Sequence, residues 1–343
     1  MNGENQTPVV FTGKTSEYFG IWIVNLLLSI LTLGIYSAWA KVRRKKYFYQ
    51  HTFIDGVAFD YHASPIAILK GRAIAFALFV LYSVSSNISP AFSGILIIAF
   101  IIFLPWIIVR SLVFNARNSS HRGLRFDFTG KAWQAAKLYL FMPLLIIVTF
   151  GLIYPFISQR RNQFLMQGHR FGLSQMRAEF KVSGFYVAYL QAFLLSIALI
   201  GIGGVATILI SQDGLKGLTT NNPSAIVPFI LVYVVMLTIS SAFLRSRLVN
   251  MIWNGTSIDH IGFKSTLRAR SLVWLYVSNL LAIVFSLGLL TPWAHVRTVK
   301  YHADNMALLG EVDFDHFVGE KKAEIKSTGE EIGEMFDVDL AFG

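Results

Sequence analysis

The chain has 343 residues, of which 54% are hydrophobic and only 14% are charged, and its mean hydropathy is +0.55. An ordinary soluble domain is about 25% charged, so this composition excludes a soluble globular protein and predicts that lipid covers much of the surface. The sequence contains no cysteine, which excludes disulfide bonds, a thiolate nucleophile and a thiolate metal site.

A polar N-terminal tail at residues 1–15 precedes the apolar segments. Four runs without Asp, Glu, Lys or Arg have 37, 31, 28 and 23 residues, at Ala73–Val109, Val182–Gln212, Gly217–Leu244 and Tyr18–Ala40. A helix that crosses a bilayer needs roughly 17–25 residues, so these runs predict a polytopic membrane protein. We draw seven apolar segments in chain order, at 18–40, 73–88, 91–109, 136–157, 184–211, 224–244 and 271–294.

Three of these segments end in the same pattern. They read TLGIYSAWAKVRRKKY, TFGLIYPFISQRRNQF and SLGLLTPWAHVRTVKY. In each, a glycine lies two residues after a hydroxyl and nine residues before an arginine, and an aromatic residue stands four positions on either side of that arginine. We interpret this as an internal repeat that arose by duplication. The repeat segments are 18–47, 136–164 and 271–301, and two-pass hairpins at 71–110 and 184–247 separate them.

The aromatic and arginine residues of the repeats form the candidate site. An aromatic ring at the end of an apolar helix suits the headgroup level, and a basic residue just beyond it faces phosphates. Two interpretations stay open, a plain interfacial anchor and a pocket for a lipid headgroup or another anion. The candidate contacts are Trp39, Arg43, Tyr47, Phe156, Arg160, Phe164, Trp293, Arg297 and Tyr301.

The distribution of basic residues bears on the topology. Lys and Arg concentrate in the five loops that follow the repeat segments and the hairpins, while the two hairpin turns carry only Lys216. Basic loops stay in the cytoplasm. Either the repeat segments span, which puts two basic loops outside, or each enters and leaves on one side. We favour the second arrangement, because Pro143, Gly151 and Pro155 are able to break the second repeat into two half-depth arms.

The loops contain a second signature. GVAFDYH, GLRFDFT and GEVDFDHF place Phe-Asp-aromatic shortly after a glycine, and MRAEFKV and IGFKSTL occupy similar places. Their alternation of apolar and polar residues fits short strands, several of which we expect to pair into a small sheet at the membrane surface. The predicted fold class is an all-α polytopic membrane protein built by internal duplication, with short cytoplasmic β elements in the loops.

Polar groups at membrane depth are few. Asn25 and Asn279 occupy matching places in the first and third repeats. Buried asparagines usually bond between helices, and the alternative is that they line the path of a permeant. No charged residue lies deep in an apolar run, which argues against a proton-coupled carrier. The sequence shows no catalytic, metal-binding or nucleotide-binding motif, so we predict no catalytic residue, no metal site and no cofactor.

The net charge of +11 is distributed unevenly along the chain. Residues 311–343 contain ten acidic residues and three lysines, and we describe them as an acidic C-terminal tail after a membrane domain at 16–310. The basic residues cluster at the ends of apolar runs, which favours contact with membrane lipids over nucleic acid. The predicted partners are therefore membrane lipids and a protein that binds the acidic tail.

The stretch LTLGIYSAWAKVRRKKYFYQHTFIDGVAFDYH, followed by PIAILKGR, resembles the YjgN family of bacterial inner-membrane proteins, a domain of unknown function. The similarity covers about residues 10–317. Trp39, Arg43, Asp55, Gly56, Phe59 and Tyr61 fall on the family pattern, and Ala38 stands where members often have proline. The resemblance implies a multi-pass location in the bacterial inner membrane and no particular activity.

Three functions are compatible with these features. We favour a non-enzymatic transport or permeation role for a lipid or a small anionic solute, because internal repeats with broken helices are typical of transporters. The second is a membrane scaffold or envelope-organising protein that recruits partners through its loops and tail. A membrane enzyme that acts on lipid is the third.

Overall fold

A computed structural model describes residues 6–210, 223–311 and 317. Ten short strands form a closed barrel in which every neighbouring pair is antiparallel, and β1 pairs with both β2 and β10. The strands are β1 (Gln6–Phe11), β2 (Thr52–Ile54), β3 (Val57–Tyr61), β4 (Ser119–His121), β5 (Leu124–Phe128), β6 (His169–Phe171), β7 (Ser174–Ala178), β8 (Thr256–Ile258), β9 (Ile261–Ser265) and β10 (Met306–Leu309).

Tight turns join the strands in pairs at one end of the barrel, which we call the turn end. In the β2–β3 turn, Asp55 and Gly56 have φ of 48° and 70°, and in the β4–β5 turn Arg122 and Gly123 have φ of 49° and 78°. Two successive left-handed residues match the right-handed twist of the flanking strands, and glycine adopts this conformation without strain. The glycines of the first two Phe-Asp-aromatic loops, Gly56 and Gly123, are therefore explained by the hairpin turns.

The Phe-Asp-aromatic signature sorts its residues between the two faces of the barrel. Phe59 and Phe126 pack against the apolar cluster inside, while Asp127 lies outside and accepts hydrogen bonds from Arg117 and Arg170 at 2.8 and 3.2 Å. In the motifs of β3 and β5, period-two alternation puts the two rings on the inner face and the carboxylate on the outer face. The core of the barrel consists of Ile54, Leu124, Phe171, Ile258, Ile261, Leu308 and Phe317.

Helices extend from the opposite end of the barrel, which we call the helix end. They form five helical hairpins, one between each strand pair and the next. The helices are α1 (Thr15–Leu31), α2 (Ser37–Gln50), α3 (Pro65–Ile88), α4 (Pro90–Arg117), α5 (Ala132–Ala136), α6 (Met142–Val148), α7 (Tyr154–Gly168), α8 (Val182–Ile210), α9 (Pro223–Asn254), α10 (Ala269–Phe285) and α11 (Thr291–Asp304).

The five hairpins form a ring. Each one packs against its two neighbours, through α2 with α3, α4 with α5, α7 with α8, α9 with α10, and α11 with α1. Four helices of the described part are long and apolar enough to cross a membrane: α3, α4, α8 and α9. The apolar arms of the other hairpins are shorter, with 17 residues in α1 and 17 in α10. Spanning and short hairpins therefore alternate from the first hairpin to the fifth.

The prediction of an all-α fold with only short β elements in its loops is wrong, because the strands close into a ten-stranded barrel. Four of the five predicted segments form β3, β5, β7 and β9, and each pairs with strands on both sides. An open sheet leaves backbone N–H and C=O groups unpaired along its edges, and closure satisfies them. The fifth segment, GEVDFDHF, lies mostly outside the described residues.

Closure also involves the chain beyond the predicted loops. The predicted polar tail contains β1, whose Val9 and Val10 pair with Ile54 and Phe53. Strand β10 ends immediately before Gly310 and pairs with β9 as well as β1. The first and last strands of the described chain therefore complete the barrel together.

Candidate lipid-facing site at the helix end of the barrel

Each repeat segment folds as a helical hairpin with the same turn. Leu33, Phe150 and Leu287 have φ of 49°, 48° and 49°, and the glycines that follow, Gly34, Gly151 and Gly288, have φ of 90°, 85° and 91°. The glycine N–H donates to the carbonyl five residues earlier in all three, at 2.7, 2.8 and 2.8 Å. This bond closes the first helix of each hairpin with a left-handed residue, which explains the repeated glycine.

The hydroxyl group two residues before each turn glycine caps the start of the second helix. Thr32 Oγ1 accepts a hydrogen bond from the Tyr36 N–H at 2.9 Å, and Ser286 Oγ accepts one from the Leu290 N–H at 2.9 Å. The corresponding distance from the Ile153 N–H to Thr149 Oγ1 is 3.4 Å. These N–H groups have no partner within the second helix, so the hydroxyl supplies it.

The turns present apolar side chains outward. Leu33, Phe150 and Leu287 are 95%, 94% and 94% exposed. A large apolar side chain at the tip of a hairpin is stable only where the surrounding solvent is itself apolar. The three tips therefore belong in lipid.

The candidate arginines lie in the second helix of each short hairpin. Each follows its turn glycine by nine residues, which corresponds to about 13 Å of helix. The half-thickness of a bilayer's hydrocarbon core is about 15 Å. A tip near the bilayer midplane therefore puts Arg43, Arg160 and Arg297 at the polar border of one leaflet.

In the second and third repeats the first aromatic residue lies beside its arginine, and in the first repeat a neighbouring tyrosine takes that place. The guanidinium of Arg160 lies 5.1 Å from the ring centre of Phe156, and that of Arg297 lies 4.9 Å from Trp293. In the first hairpin, Arg43 donates to the Tyr36 hydroxyl at 3.0 Å, and the Tyr36 and Trp39 rings stack 6.0 Å apart. Cation–π contact and a ring at the border are compatible with both an anchor and a headgroup pocket.

The second aromatic residue of each repeat packs inside its hairpin. The Tyr47 hydroxyl donates to the Lys14 carbonyl at 2.9 Å and accepts from the Lys14 N–H at 2.8 Å. The Tyr301 hydroxyl makes the same two bonds to Arg268, at 3.3 and 3.2 Å. Phe164 has no hydroxyl and packs edge-on against Phe128 at 5.5 Å. These three rings connect the end of the second helix to the start of the first.

The two asparagines differ in their partners. Asn279 donates to Thr298 Oγ1 at 3.0 Å and accepts from Arg297 at 3.2 Å, so it joins the two arms of its hairpin. Asn25 is 7% exposed, and its Oδ1 has no hydrogen-bond partner among the described residues. Arg43, which matches Arg297, turns away to Tyr36.

One basic residue of the site was missed by the sequence analysis. Arg72, in α3, donates to the Ser37 hydroxyl at the start of α2. Arg43 bonds the neighbouring Tyr36, so two exposed guanidinium groups flank one end of α2. The available signal was that Arg72 is the last charged residue before the longest uncharged run.

None of these arginines has an acidic partner in the described part of the chain. The arginine–carboxylate pairs found there involve Asp55 and Asp127 on the barrel. Within the described ranges, acidic residues therefore neutralise arginines on and next to the barrel but not Arg43, Arg72, Arg160 or Arg297. Within the described ranges, no group of three or more His, Asp or Glu residues is placed to hold a metal ion.

Comparisons with known proteins agree with a membrane location. The chain is 25% identical to Inner membrane protein YjgN of Salmonella typhimurium (strain LT2), over 92% of this chain and 91% of the relative. It is 22% identical to Inner membrane protein YjgN of Escherichia coli O157:H7, over 89% of each chain. The same-named protein of Escherichia coli (strain K12) is 30% identical over 44% of this chain and 38% of the relative. No solved structure matches significantly.

The four spanning helices and these relatives identify a multi-pass protein of the bacterial inner membrane, as the sequence predicted. The family model for a bacterial protein of unknown function, DUF898, matches residues 6–335. The chain therefore belongs to the DUF898 family.

Proposed function

We propose that the protein binds a membrane lipid at the cytoplasmic leaflet and has a non-enzymatic transport or permeation role for that lipid. The observation that carries the proposal is that three hairpins with lipid-facing tips each hold an arginine that has no acidic partner among the described residues, nine residues from the turn. A lipid phosphate is the anion available at that depth.

The proposal places the barrel in the cytoplasm. All five helical hairpins leave the same end of the barrel, so every basic loop lies on one side of the membrane. Lys and Arg favour the cytoplasmic side. In this arrangement the short hairpins enter and leave the membrane from the cytoplasm. The shared turn geometry supports our proposal that they arose by duplication.

The pair Arg43 and Arg72 makes a phosphate the best fit. A guanidinium binds a phosphate through two parallel hydrogen bonds, and such charged bonds are stronger than neutral ones. Here Arg43 of α2 and Arg72 of α3 bond the hydroxyls of two consecutive residues, Tyr36 and Ser37, and exposed apolar side chains such as Leu33 and Ile35 lie just before them in the chain. A soluble anion provides only the charge, whereas a phospholipid also covers the apolar surface beside it.

A lipid-movement assay tests the function. The purified protein is reconstituted into vesicles of phosphatidylethanolamine and phosphatidylglycerol that contain phosphatidylglycerol with an NBD-labelled acyl chain. Dithionite then reports how fast the label moves between leaflets. We expect faster movement than in protein-free vesicles, and slower movement in the triple variant Arg43→Gln, Arg160→Gln, Arg297→Gln.

The matched control removes equal charge from the outside of the barrel, through Arg125→Gln, Arg177→Gln and Lys264→Gln. This variant is expected to move lipid like the parent protein. Movement no faster than in protein-free vesicles would exclude the transport role. Equal loss in both triple variants would show that net charge, and not the hairpin arginines, is responsible.

A scaffold role is the second candidate function, and the helical hairpin of α3 and α4 favours it. The best spanning window of α3 has no buried residue, and only 11% of that of α4 is buried, so this hairpin exposes much apolar surface beyond its contacts with the neighbouring hairpins. A membrane partner would bury part of that surface. Native electrophoresis tests this idea: a scaffold is expected to migrate as a larger complex when extracted from its membrane than after purification and reconstitution.

A further inference from the structure

The interior of the barrel contains an apolar cavity of about 280 Å³. Its middle layer consists of one side chain from each of the five odd-numbered strands, namely Val9, Phe59, Phe126, Met176 and Phe263. The side chains of a small barrel usually fill its interior. Here five side chains that face one another leave a space between them.

The cavity reaches both ends of the barrel. At the helix end its wall includes Thr52 and Met306, which begin β2 and β10 directly after a helix, and Trp253 from the last turn of α9. At the turn end its wall includes Phe317, which is 1% exposed and contacts the Phe171 ring at 5.6 Å. The space therefore extends from the membrane side of the barrel to an apolar floor.

The wall offers water few partners. The polar side chains along it are Thr52 and His121. His121 is 2% exposed, and its Nε2 atom lies 3.2 Å from the Val57 carbonyl oxygen. A buried water needs two to four polar partners, whereas an apolar cavity of about 150 Å³ stays dry and takes up apolar molecules. This cavity is nearly twice as large and has the same chemistry.

We propose that the cavity binds one acyl chain of a phospholipid that enters from the membrane at the helix end. The chain lies along the barrel axis and ends near Phe317. The ring of helical hairpins surrounds the entrance with lipid-exposed surface, so a membrane lipid is the apolar molecule closest to it. The proposed function assigns the phosphate of a phospholipid to the hairpin arginines, and this cavity binds an acyl chain of the same lipid. The cavity proposal rests on the proposed function to that extent.

Photo-crosslinking tests the site. The full-length protein is reconstituted with phosphatidylglycerol that carries a diazirine near the methyl end of one acyl chain, irradiated and analysed by peptide mass spectrometry. We expect adducts on strands β1, β7 and β9 in addition to the membrane helices. The variant Val9→Trp fills the cavity and is expected to lose the barrel adducts while the helix adducts remain.

The neighbouring residue supplies the control. Val10, in the same strand, is 47% exposed on the outer face, so Val10→Trp is expected to keep the barrel adducts. If Val9→Trp does not fold, as judged by gel filtration, Met176→Phe replaces it with a smaller increase in volume. Adducts confined to the helices in the parent protein would overturn the proposal. So would barrel adducts that both cavity variants retain, or adducts formed only by a diazirine-labelled free fatty acid.

The result of the crosslinking experiment can be distinguished from the result of the lipid-movement assay. Barrel adducts without accelerated lipid movement would support the cavity and reject transport. Lipid movement without barrel adducts would support transport and reject the cavity.

Discussion

Single hydroxyl groups shape the short hairpins at the residue scale. Thr32 and Ser286 each satisfy a backbone N–H at the start of a helix whose surroundings are lipid. In water, a solvent molecule would accept a hydrogen bond from such an N–H group if the hydroxyl were absent. Hydrocarbon offers no acceptor, so there an unsatisfied N–H group carries its full free-energy cost. The hydroxyl is visible in the sequence as part of a repeated pattern. No local signal shows that it accepts a hydrogen bond from the backbone N–H four residues later.

Replacing Thr32 with valine is expected to destabilise the protein by about 1–3 kcal/mol, because a buried donor loses its acceptor without a change in shape. Thr149→Val is the matched control, since its hydroxyl lies 3.4 Å from the N–H and not 2.9 Å. Its expected cost is smaller. The free energy of unfolding in detergent measures both, and equal costs would contradict the capping role.

His121 makes the stability of the barrel depend on pH. Burial lowers the pKa of His121 below its ordinary value of 6.5, the Arg122 charge lowers it further, and the carbonyls of Val57 and Ile54 and the Asp55 carboxylate act in the opposite direction. When pH falls below 6.5 the unfolded chain gains a proton there that the folded chain does not. Unfolding is then favoured, until the pH reaches the lowered pKa of the folded state.

The barrel is therefore expected to lose stability between pH 7.5 and pH 5.5. In His121→Phe this loss is expected to be smaller, because the group that titrates is absent. Phe59→Leu, a change in the same apolar cluster, controls for packing and is expected to lower stability at every pH without changing the slope. Thermal unfolding across this pH range measures the three proteins, and parallel slopes in His121→Phe and the parent would reject the prediction.

The helical hairpin is the relevant unit at the element scale. The repeated glycine, hydroxyl and arginine predicted three related helical elements, and the prolines of the second repeat predicted that its helix is broken. The structure puts that break at Gly151, while Pro143 and Pro155 lie in the first turns of α6 and α7. Proline at the start of a helix has no N–H to leave unsatisfied, so Pro155 suits the start of α7. Pro143 instead follows a π-helical turn at Lys137–Phe141, and the helical arm continues through it from Ala132 to Val148. Contacts between hairpins, such as that of Arg72 with Ser37, could not be predicted because they depend on tertiary packing.

A side chain at a turn glycine is unfavourable because of the left-handed backbone conformation and not because of a steric clash. Gly34 has φ of 90° and nothing within 4 Å of the position of a Cβ atom, so Gly34→Ala introduces strain without a clash. We expect a loss of about 1–2 kcal/mol in stability. Gly20→Ala is the control, since Gly20 lies within α1 and also has no near neighbour. There alanine is expected to be neutral or to stabilise by up to about 1 kcal/mol. Unfolding in detergent compares the two.

The barrel defines the whole molecule, and the sequence predicted its pieces but not its closure. Motifs such as Phe-Asp-Tyr revealed β3 and β5 because five residues are enough to show an alternating pattern. Strands β2, β4, β6 and β8 have three residues each, too few for that signal. The pairing of β1 with β10 joins residues about 300 positions apart, which no local pattern predicts. The membrane class depends on composition, and for that reason it was predictable, whereas the inner-membrane location was implied by the family resemblance.

The topology has a direct test, since the chain lacks native cysteine. Arg125 precedes the third helical hairpin and Arg177 follows it, and both are exposed. Single cysteines at these positions are expected to react with a membrane-impermeant maleimide only from the cytoplasmic side. Asn87→Cys, at the far end of α3, is expected to react only from the periplasmic side. Reaction of the first two from opposite sides would show that the third hairpin spans the membrane.

Closure through β1 and β10 delays completion of the barrel until β10 has been synthesised. Strand β1 emerges from the ribosome first, and its partner β10 emerges nearly 300 residues later, an interval of about 15–60 s at 5–20 residues per second. A product truncated before Met306 lacks β10 and so exposes the edges of β1 and β9. Cellular proteases and chaperones recognise such unpaired edges, so closure of the barrel distinguishes chains that contain β10 from chains that lack it.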